Sequence, residues 1–486
     1  MKNSILKLLC LALSIVMIFS IAGCGKTENK KAIDEGTENF DIEGNVIEQG
    51  GTDKTASGDN ATTATQNKES GGKVTAATIS KADELSWKQL VSQMPSSLKN
   101  TTITMCNWNA AKEYTGSEKV ISDFEKQTGI KVKWVVAPYD NYTSKIAAMI
   151  NAGNSPDLIR MYSPDPHRMN LCQDVKTATG YDFKGDIWDQ RVNKEYTIKN
   201  KVYAVNLNDT FFNQPKVMMY KKSVVENLKL EDPYKAWKQG KWNWNKFVEI
   251  CKAYLKVKPD GNAWISYNAI DYLSFSGREL IELENNKYVN KINDAQVYKD
   301  LQKMCNLSAQ GILSEAVRDD DIFNSNALFM TFNSIANRRT NANLMEIKGN
   351  DDLFCVPIPE IKGREKVQEY SELEAYGIPK GAKNAPATYY FLRYFLDANN
   401  YNANEFFCNK QAYEVYKACR EKKEVFASTA GNLTGAVSKD GANFGGLTDF
   451  IRLGDSVSQL KSQLDKSAPT LNLATKKANE VLKKFK

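Results

Sequence analysis

The chain has a single histidine, His167. A Ser-His-Asp triad needs histidine as its base, and zinc sites usually draw on several His or Cys ligands. No GxSxG, HExxH or phosphate-binding glycine loop occurs. Nucleophilic and metal-assisted hydrolysis are therefore poorly served. His167 itself, in the turn-rich run Pro164-Asp165-Pro166-His167, reads as a surface loop residue. What the chain has in quantity is Trp and Tyr beside Asn, Asp, Glu and Arg. That combination suits a noncovalent binding cleft, with rings for apolar faces and amides, carboxylates and guanidinium groups for polar partners.

Which residues qualify depends on the elements that hold them, because ligands of open α/β sheets lie outside the carboxyl ends of the strands. Residues 99–107 (KNTTITMCN) alternate and are β-branched, which predicts a strand. Residues 117–128 predict a helix through Val120, Ile121 and Phe124, closed by Gly129. Residues 130–137 (IKVKWVVA) predict a second strand, 142–152 a helix closed by Gly153, and 157–162 (DLIRMY) a third strand. This alternation implies a parallel, doubly wound sheet. It returns as strands over 216–220, 263–267, 326–332 and 353–358, with helices over 245–256, 294–307, 385–397 and most of 456–484.

Reading outward from each strand gives the candidates. Trp108 and Asn109 follow the first strand and Tyr162 the third. Asn208 and Asp209 lie in the polar run NLNDTFFN. Trp264 and Tyr267 lie on or after a later strand, with Tyr272 opening the next helix-like stretch. Phe332 and Asn333 end another. Asp157 reads as a turn or cap residue.

Composition narrows the partners. Lys and Arg number 65 against 58 Asp and Glu, a net charge of +7. These charges are interspersed, with no basic stripe of the kind nucleic-acid binding needs. Nine cysteines are present. Apart from Cys10 and Cys24 they are scattered and form no CxxC. A disulfide framework is not expected, and Cys408 with Cys419 is the one pairing left open.

The N-terminus has the layout of a secretory signal. Lys2 and Lys7 precede an apolar run over 8–21, too short to span a membrane comfortably. The run ends in Ile21-Ala22-Gly23-Cys24, which resembles the lipobox of bacterial lipoproteins. Small residues let a peptidase grip the backbone, and the Cys24 thiol would take up a diacylglyceryl group. Residues 25–80 are polar and poor in large apolar side chains, and read as a flexible tether. A coil of ~56 residues spans roughly 40 Å.

The folded part resembles the family 1 extracellular solute-binding proteins, the maltose-binding-like receptors of sugar ABC importers. The resemblance runs from residue 100 to the C-terminus. It rests on ITMCNWN (103–109), FEKQTGIKVKWV (124–135), the run from Tyr142 through Lys145 and Gly153 to Ser155-Pro156-Asp157-Leu158, DPYKAW followed by GKWNWNKF (232–247), and IPKGAKN (378–384). Two places depart from the family pattern. Lys221 follows Tyr220 where the family often has Asn, and Phe332-Asn333-Ser334-Ile335 lacks the Gly-Trp of many sugar receptors.

The resemblance implies an α/β, two-lobed, periplasmic-binding-protein-like fold of class II type. Each lobe would be a mostly parallel sheet flanked by helices, with the ligand cleft between. The implied boundaries are 1–23 signal peptide, 24–82 lipidated cysteine and linker, 83–213 with 352–397 lobe one, and 214–351 with 398–486 lobe two. Tyr376 would contact ligand, and Trp242 and Trp244 would pack a second-lobe helix. The expected function is capture of a carbohydrate, an oligosaccharide by preference, and its delivery to ABC permease subunits. The receptor would be a monomer without a cofactor or metal, tethered by Cys24 lipid outside the cytoplasmic membrane of a Gram-positive cell. The competing expectations are a lipid-anchored glycoside hydrolase, which would use paired carboxylates, and a surface sensor without a transport role.

Overall fold

The computed structural model describes residues 82–113, 116–213, 215–266, 271–315, 327–332, 352–370, 373–407, 409–427, 429, 433, 437 and 457–485. In chain order the strands used below are β1 (Thr102–Asn107), β2 (Lys131–Val136), β3 (Leu158–Met161), β4 (Ala204–Val205), β5 (Val217–Lys221), β6 (Trp264–Ser266), β7 (Ile281–Glu284), β8 (Lys287–Asn290), β9 (Leu313–Glu315), β10 (Phe329–Phe332), β11 (Leu353–Pro357), β12 (Val367–Tyr370), β13 (Ala375–Gly377) and β14 (Glu424–Ala427). The helices are α1 (Ser117–Thr128), α2 (Tyr142–Asn151), α3 (Pro166–Met169), α4 (Trp244–Val257), α5 (Asp271–Phe275), α6 (Ala295–Ala309), α7 (Ala385–Phe395), α8 (Lys410–Arg420) and α9 (Val457–Leu482).

Two five-stranded sheets carry the fold. The first has the order β2-β1-β3-β13-β4, the second β9-β6-β10-β5-β11. In the first, β1 runs parallel to β2 and β3, while β13 runs antiparallel to β3 and β4. In the second, β6 runs parallel to β9 and β10, and β5 runs antiparallel to β10 and β11. The predicted alternation explains the parallel halves: α1 carries the chain from β1 back to the start of β2. It ends at Gly129, whose φ of +74° gives the left-handed C-cap that glycine adopts without strain. A short parallel pair, β12 with β14, lies where the chain crosses between the sheets.

The sheets correct two of the expected boundaries. Leu353–Pro357, assigned to the first lobe, is the edge strand of the second sheet and pairs with β5 from Leu353 to Pro357. Its register with the apolar Val217–Lys221 run seals that edge. Residues 398–407, assigned to the second lobe, pack on the first. Ala398 donates to the Asp209 carbonyl at 3.2 Å, and Phe212 stacks on Phe395 at 5.3 Å and meets Tyr401 edge-on.

The core follows the sheets. One buried cluster joins Phe124, Phe391 and Tyr389 beneath the first sheet to Met219, Cys355 and Tyr416. Another joins Tyr142, Ile159 and Tyr196 to Trp264, Phe247 and the C-terminal helix α9. Among the described residues no helix is long and apolar enough to cross a membrane.

Candidate ligand-binding site

Three parallel strands of the first sheet each present a ring just past their carboxyl ends. Trp108 follows β1, Tyr139 follows β2 and Tyr162 follows β3. The rings meet as a triangle. Trp108 is 5.5 Å from Tyr139 and 5.0 Å from Tyr162, both edge to face, and Tyr139 is 5.3 Å from Tyr162. Such offset and edge contacts are the favoured arrangement of ring quadrupoles. Tyr142, the first residue of α2, supports the group from below, 5.2 Å from Trp108. Its hydroxyl donates to the Cys106 carbonyl at 2.8 Å and accepts from the Arg160 backbone at 3.1 Å. Trp108 and Tyr139 stay half-buried, while Tyr142 and Tyr162 are buried.

Charged groups lie behind the rings. The Arg160 guanidinium sits 3.9 Å over the Trp108 ring, and that of Arg168 sits 3.9 Å over Tyr162. A desolvated cation over a ring gains about 2 kcal/mol. Arg160 pairs with Glu374 at 2.7 Å and donates to the Asn109 Oδ1 at 3.2 Å. The Tyr376 hydroxyl donates to the other Glu374 oxygen at 2.5 Å, and Asn206 Nδ2 donates to the Glu374 carbonyl at 2.7 Å. Arg168 pairs with Asp165 at 2.6 Å, donates to Thr143 Oγ1 at 3.1 Å and bonds the Tyr162 hydroxyl. Burial pushes the Arg168 guanidinium down, but Asp165 and the neighbouring phenols outweigh it, and the net shift is upward. Burial also pushes the nearby Cys106 thiol up to about 12, leaving it an inert protonated group at neutral pH. Asn109 is fixed from both sides: its backbone N–H donates to Asn107 Oδ1 at 3.1 Å, and its carbonyl accepts from Trp134 Nε1 at 2.8 Å.

The structure thus gathers Trp108, Asn109, Tyr162 and Tyr376 from the sequence candidates. Sequence reasoning missed Tyr139, Arg160, Arg168 and Glu374. Tyr139 obeys the same strand-end rule as Trp108 and Tyr162. Arg160 could have been flagged as a lone charge inside the apolar strand LIRM, because a buried guanidinium requires a partner. Asp157, read as a cap, does structural work: its carboxylate accepts from the backbone of Thr104, Lys383 and Asn384.

Other candidates stand elsewhere. Trp264 is fully buried, its indole N–H donating to Thr331 Oγ1 at 2.8 Å and its ring packed on Phe247 at 5.3 Å. It is a core side chain of the second sheet. Asn208 and Asp209 are exposed and hold the chain: Asn208 bonds residues 186 and 187, and the Asp209 carbonyl takes Ala398. They are not part of the Trp108 group. Tyr272 belongs to α5 and Phe332 ends β10, while Tyr267, Asn333 and Cys24 lie outside the described residues. His167 is buried, not a surface loop residue. Asp165 caps α3 through the Arg168 N–H and Pro166 takes its first turn, winding the loop into a helix against which α9 packs. Trp242 is buried with its N–H on the Pro357 carbonyl at 2.8 Å, and Trp244 opens α4. The described cysteines Cys106, Cys172, Cys251, Cys305, Cys355 and Cys419 are free thiols, all buried, and Cys408 lies outside the described residues. No group of three or more His, Cys, Asp or Glu among the described residues is arranged to hold a metal.

Two mostly parallel sheets joined by crossing segments make this a two-lobed binding-protein fold of the periplasmic type. Solved structures share it. The acarbose-binding GacH receptor of Streptomyces glaucescens is 15% identical, covering 79% of this chain and 99% of that one, with a TM-score of 0.53. The galacto-N-biose/lacto-N-biose I-binding protein of a Bifidobacterium longum ABC transporter is 14% identical over 77% and 98%, TM-score 0.55. The sugar-binding protein MalE of Xanthomonas citri is 13% identical over 79% and 98%, TM-score 0.56. Residues 119–406 match the family model for bacterial extracellular solute-binding proteins, and the chain belongs to that family. No curated protein matches it by sequence.

Proposed function

We propose that this protein captures a carbohydrate, an oligosaccharide by preference, against the Trp108 group and passes it to the permease of an ABC importer. Lipid on Cys24 would hold it at the outer face of the cytoplasmic membrane. One observation carries the reading: three strand ends converge on the Trp108, Tyr139 and Tyr162 triangle, with Arg160, Asn109 and Glu374 directly behind it. The half-buried Trp108 ring offers a stacking face. The network behind it offers hydroxyl partners already held in place, which lowers the ordering cost of binding.

The same network argues for capture over turnover. Glycoside hydrolysis needs one carboxyl held protonated as an acid. Glu374 and Asp165 are instead each buried and committed to a guanidinium, at 2.7 and 2.6 Å, rather than presented to a ligand as that acid. The family membership and the ligands of the structural neighbours, acarbose and lacto-N-biose among them, point the same way.

A thermal-shift screen against di- to tetrasaccharides, run beside a hydrolysis assay, tests the reading. The expected result is a saturable rise in melting temperature with the sugar recovered intact. Sugar turnover, or a rise only with peptides or metals, would contradict it. Fatty-acid labelling of the full chain, abolished in Cys24→Ala with release of the protein from cells, tests the anchor.

A further inference from the structure

The second lobe carries a groove that sugar capture at Trp108 leaves unused. Between α4 and α6, a hollow of about 350 Å³ has Trp244, Val248 and Leu307 as its floor. Lys252, Lys303, Asn306 and Gln310 stand on its rim, exposed. The volume falls at the lower end of small-molecule sites. The floor is built, not accidental. Asn243 caps α4 and the Trp244 backbone N–H donates to the Glu360 carbonyl at 3.0 Å. The half-buried Trp244 ring is wedged edge-on by Trp264 at 5.9 Å and tilted on Phe247 at 5.2 Å. It is therefore held in place where it lines the groove.

The rim is positive. No carboxylate lines the groove. Asp300 of α6 is buried, and its single charge is shared by Lys303 at 3.0 Å and Arg278 at 3.2 Å. Among the described residues Lys252 has no ion-pair partner. Exposed Lys256 and Lys299, one turn away on the same two helices, add to the field.

We infer that this groove is a second binding site, selective for a saccharide bearing an acidic group. One sugar face lies on Trp244, the acid (a carboxylate or a sulfate or phosphate ester) sits between Lys252 and Lys303, and the Asn306 and Gln310 amides take ring hydroxyls. The site is independent of the Trp108 group, so it can hold a charged glycan while the cleft is empty or full.

The test titrates digalacturonate and uncharged galactobiose by calorimetry into the full folded chain and into Trp108→Ala, which disables the first site alone. The inference predicts one-to-one binding of digalacturonate to both proteins, about tenfold tighter than galactobiose and weakened about tenfold by 0.5 M NaCl. Lys252→Ala/Lys303→Ala, two exposed changes that leave the core intact, removes this binding and spares binding of a neutral sugar at Trp108. Three results would overturn the inference: digalacturonate binding that vanishes in Trp108→Ala, binding untouched by the lysine changes, or lysine-dependent attachment to phosphatidylglycerol vesicles with none to digalacturonate.

Discussion

The two lobes each gather aromatic rings at a sheet, and they use them differently. Around Trp108 the rings alternate with two guanidinium groups and two carboxylates, and two of the rings reach solvent. Around Trp264 the neighbours are Trp244, Phe247 and Phe275, and its indole N–H donates to a threonine hydroxyl. Aromatic content alone does not separate a site from a core. The paired charges do. Burying an ion pair costs several kcal/mol per ion and is often no better for stability than apolar packing. The first lobe retains Arg160 with Glu374 behind the half-buried Trp108, and Arg168 with Asp165 behind the buried Tyr162, pairings that stability alone does not call for.

The sharpest way to break that contrast is to truncate both tryptophans. Trp264→Ala opens a cavity in a sealed core and should cost about 3–5 kcal/mol in urea unfolding. Sugar affinity per folded molecule should stay within about twofold of the parent. Glu374→Ala strands the Arg160 charge, and about 3 kcal/mol of stability should go with it, together with sugar binding. Glu374→Gln, whose single amide oxygen can accept from Arg160 or from Tyr376 but not from both, should recover part of each. Trp108→Ala should cut sugar affinity by roughly ten- to a hundredfold, the worth of one desolvated ring face. Its loss in unfolding stability should be smaller than that of Trp264→Ala. If Trp108→Ala unfolds the protein while Trp264→Ala abolishes binding, the two regions have been assigned the wrong way round.

The smallest effect concerns the thiols that underlie both lobes. Burial pushes Cys106 and Cys172 up to about 12 from an ordinary 9.0, and Cys251 well upward too. In the unfolded chain these thiols ionise near the ordinary value, so above it the unfolded state sheds protons that the native state keeps. Stability should therefore be flat below about pH 8.5 and fall as pH rises from 9 toward 12. A thermal-melt series from pH 7 to 10.5 checks the sign. Ellman's reagent at pH 8 should label none of the six described thiols until urea is added.

Much of the scaffold was legible because the periodicities are clean. The α1 helix, with Val120 and Phe124 inward and Gly129 closing it, coincides with the predicted 117–128. Long-range features were not legible. The side of the crossing to which residues 353–357 belong depends on pairing with β5, more than a hundred residues earlier, and no local pattern encodes that register. His167 looked like a loop residue because Pro and Asp mark turns, yet here they start a helix that α9 covers. Strand ends pointed to Trp108 and Tyr162 and the family resemblance to Tyr376, and the structure brings these three into one cluster. Trp264 was misplaced because a ring at a strand end looks the same in sequence whether or not a second layer seals it. Arg160 and Glu374 meet from positions 160 and 374 only after β3 pairs with β13.

The most direct test of the central claim is calorimetric titration of the wild-type protein and of Trp108→Ala with the oligosaccharide that gives the largest thermal shift, followed by chromatography of the recovered sugar. The account predicts one-to-one binding to the wild type, an affinity lower by roughly tenfold or more in Trp108→Ala, and sugar returned intact from both. Equal affinity in the two proteins, or shortened sugar in the recovered fraction, would contradict it.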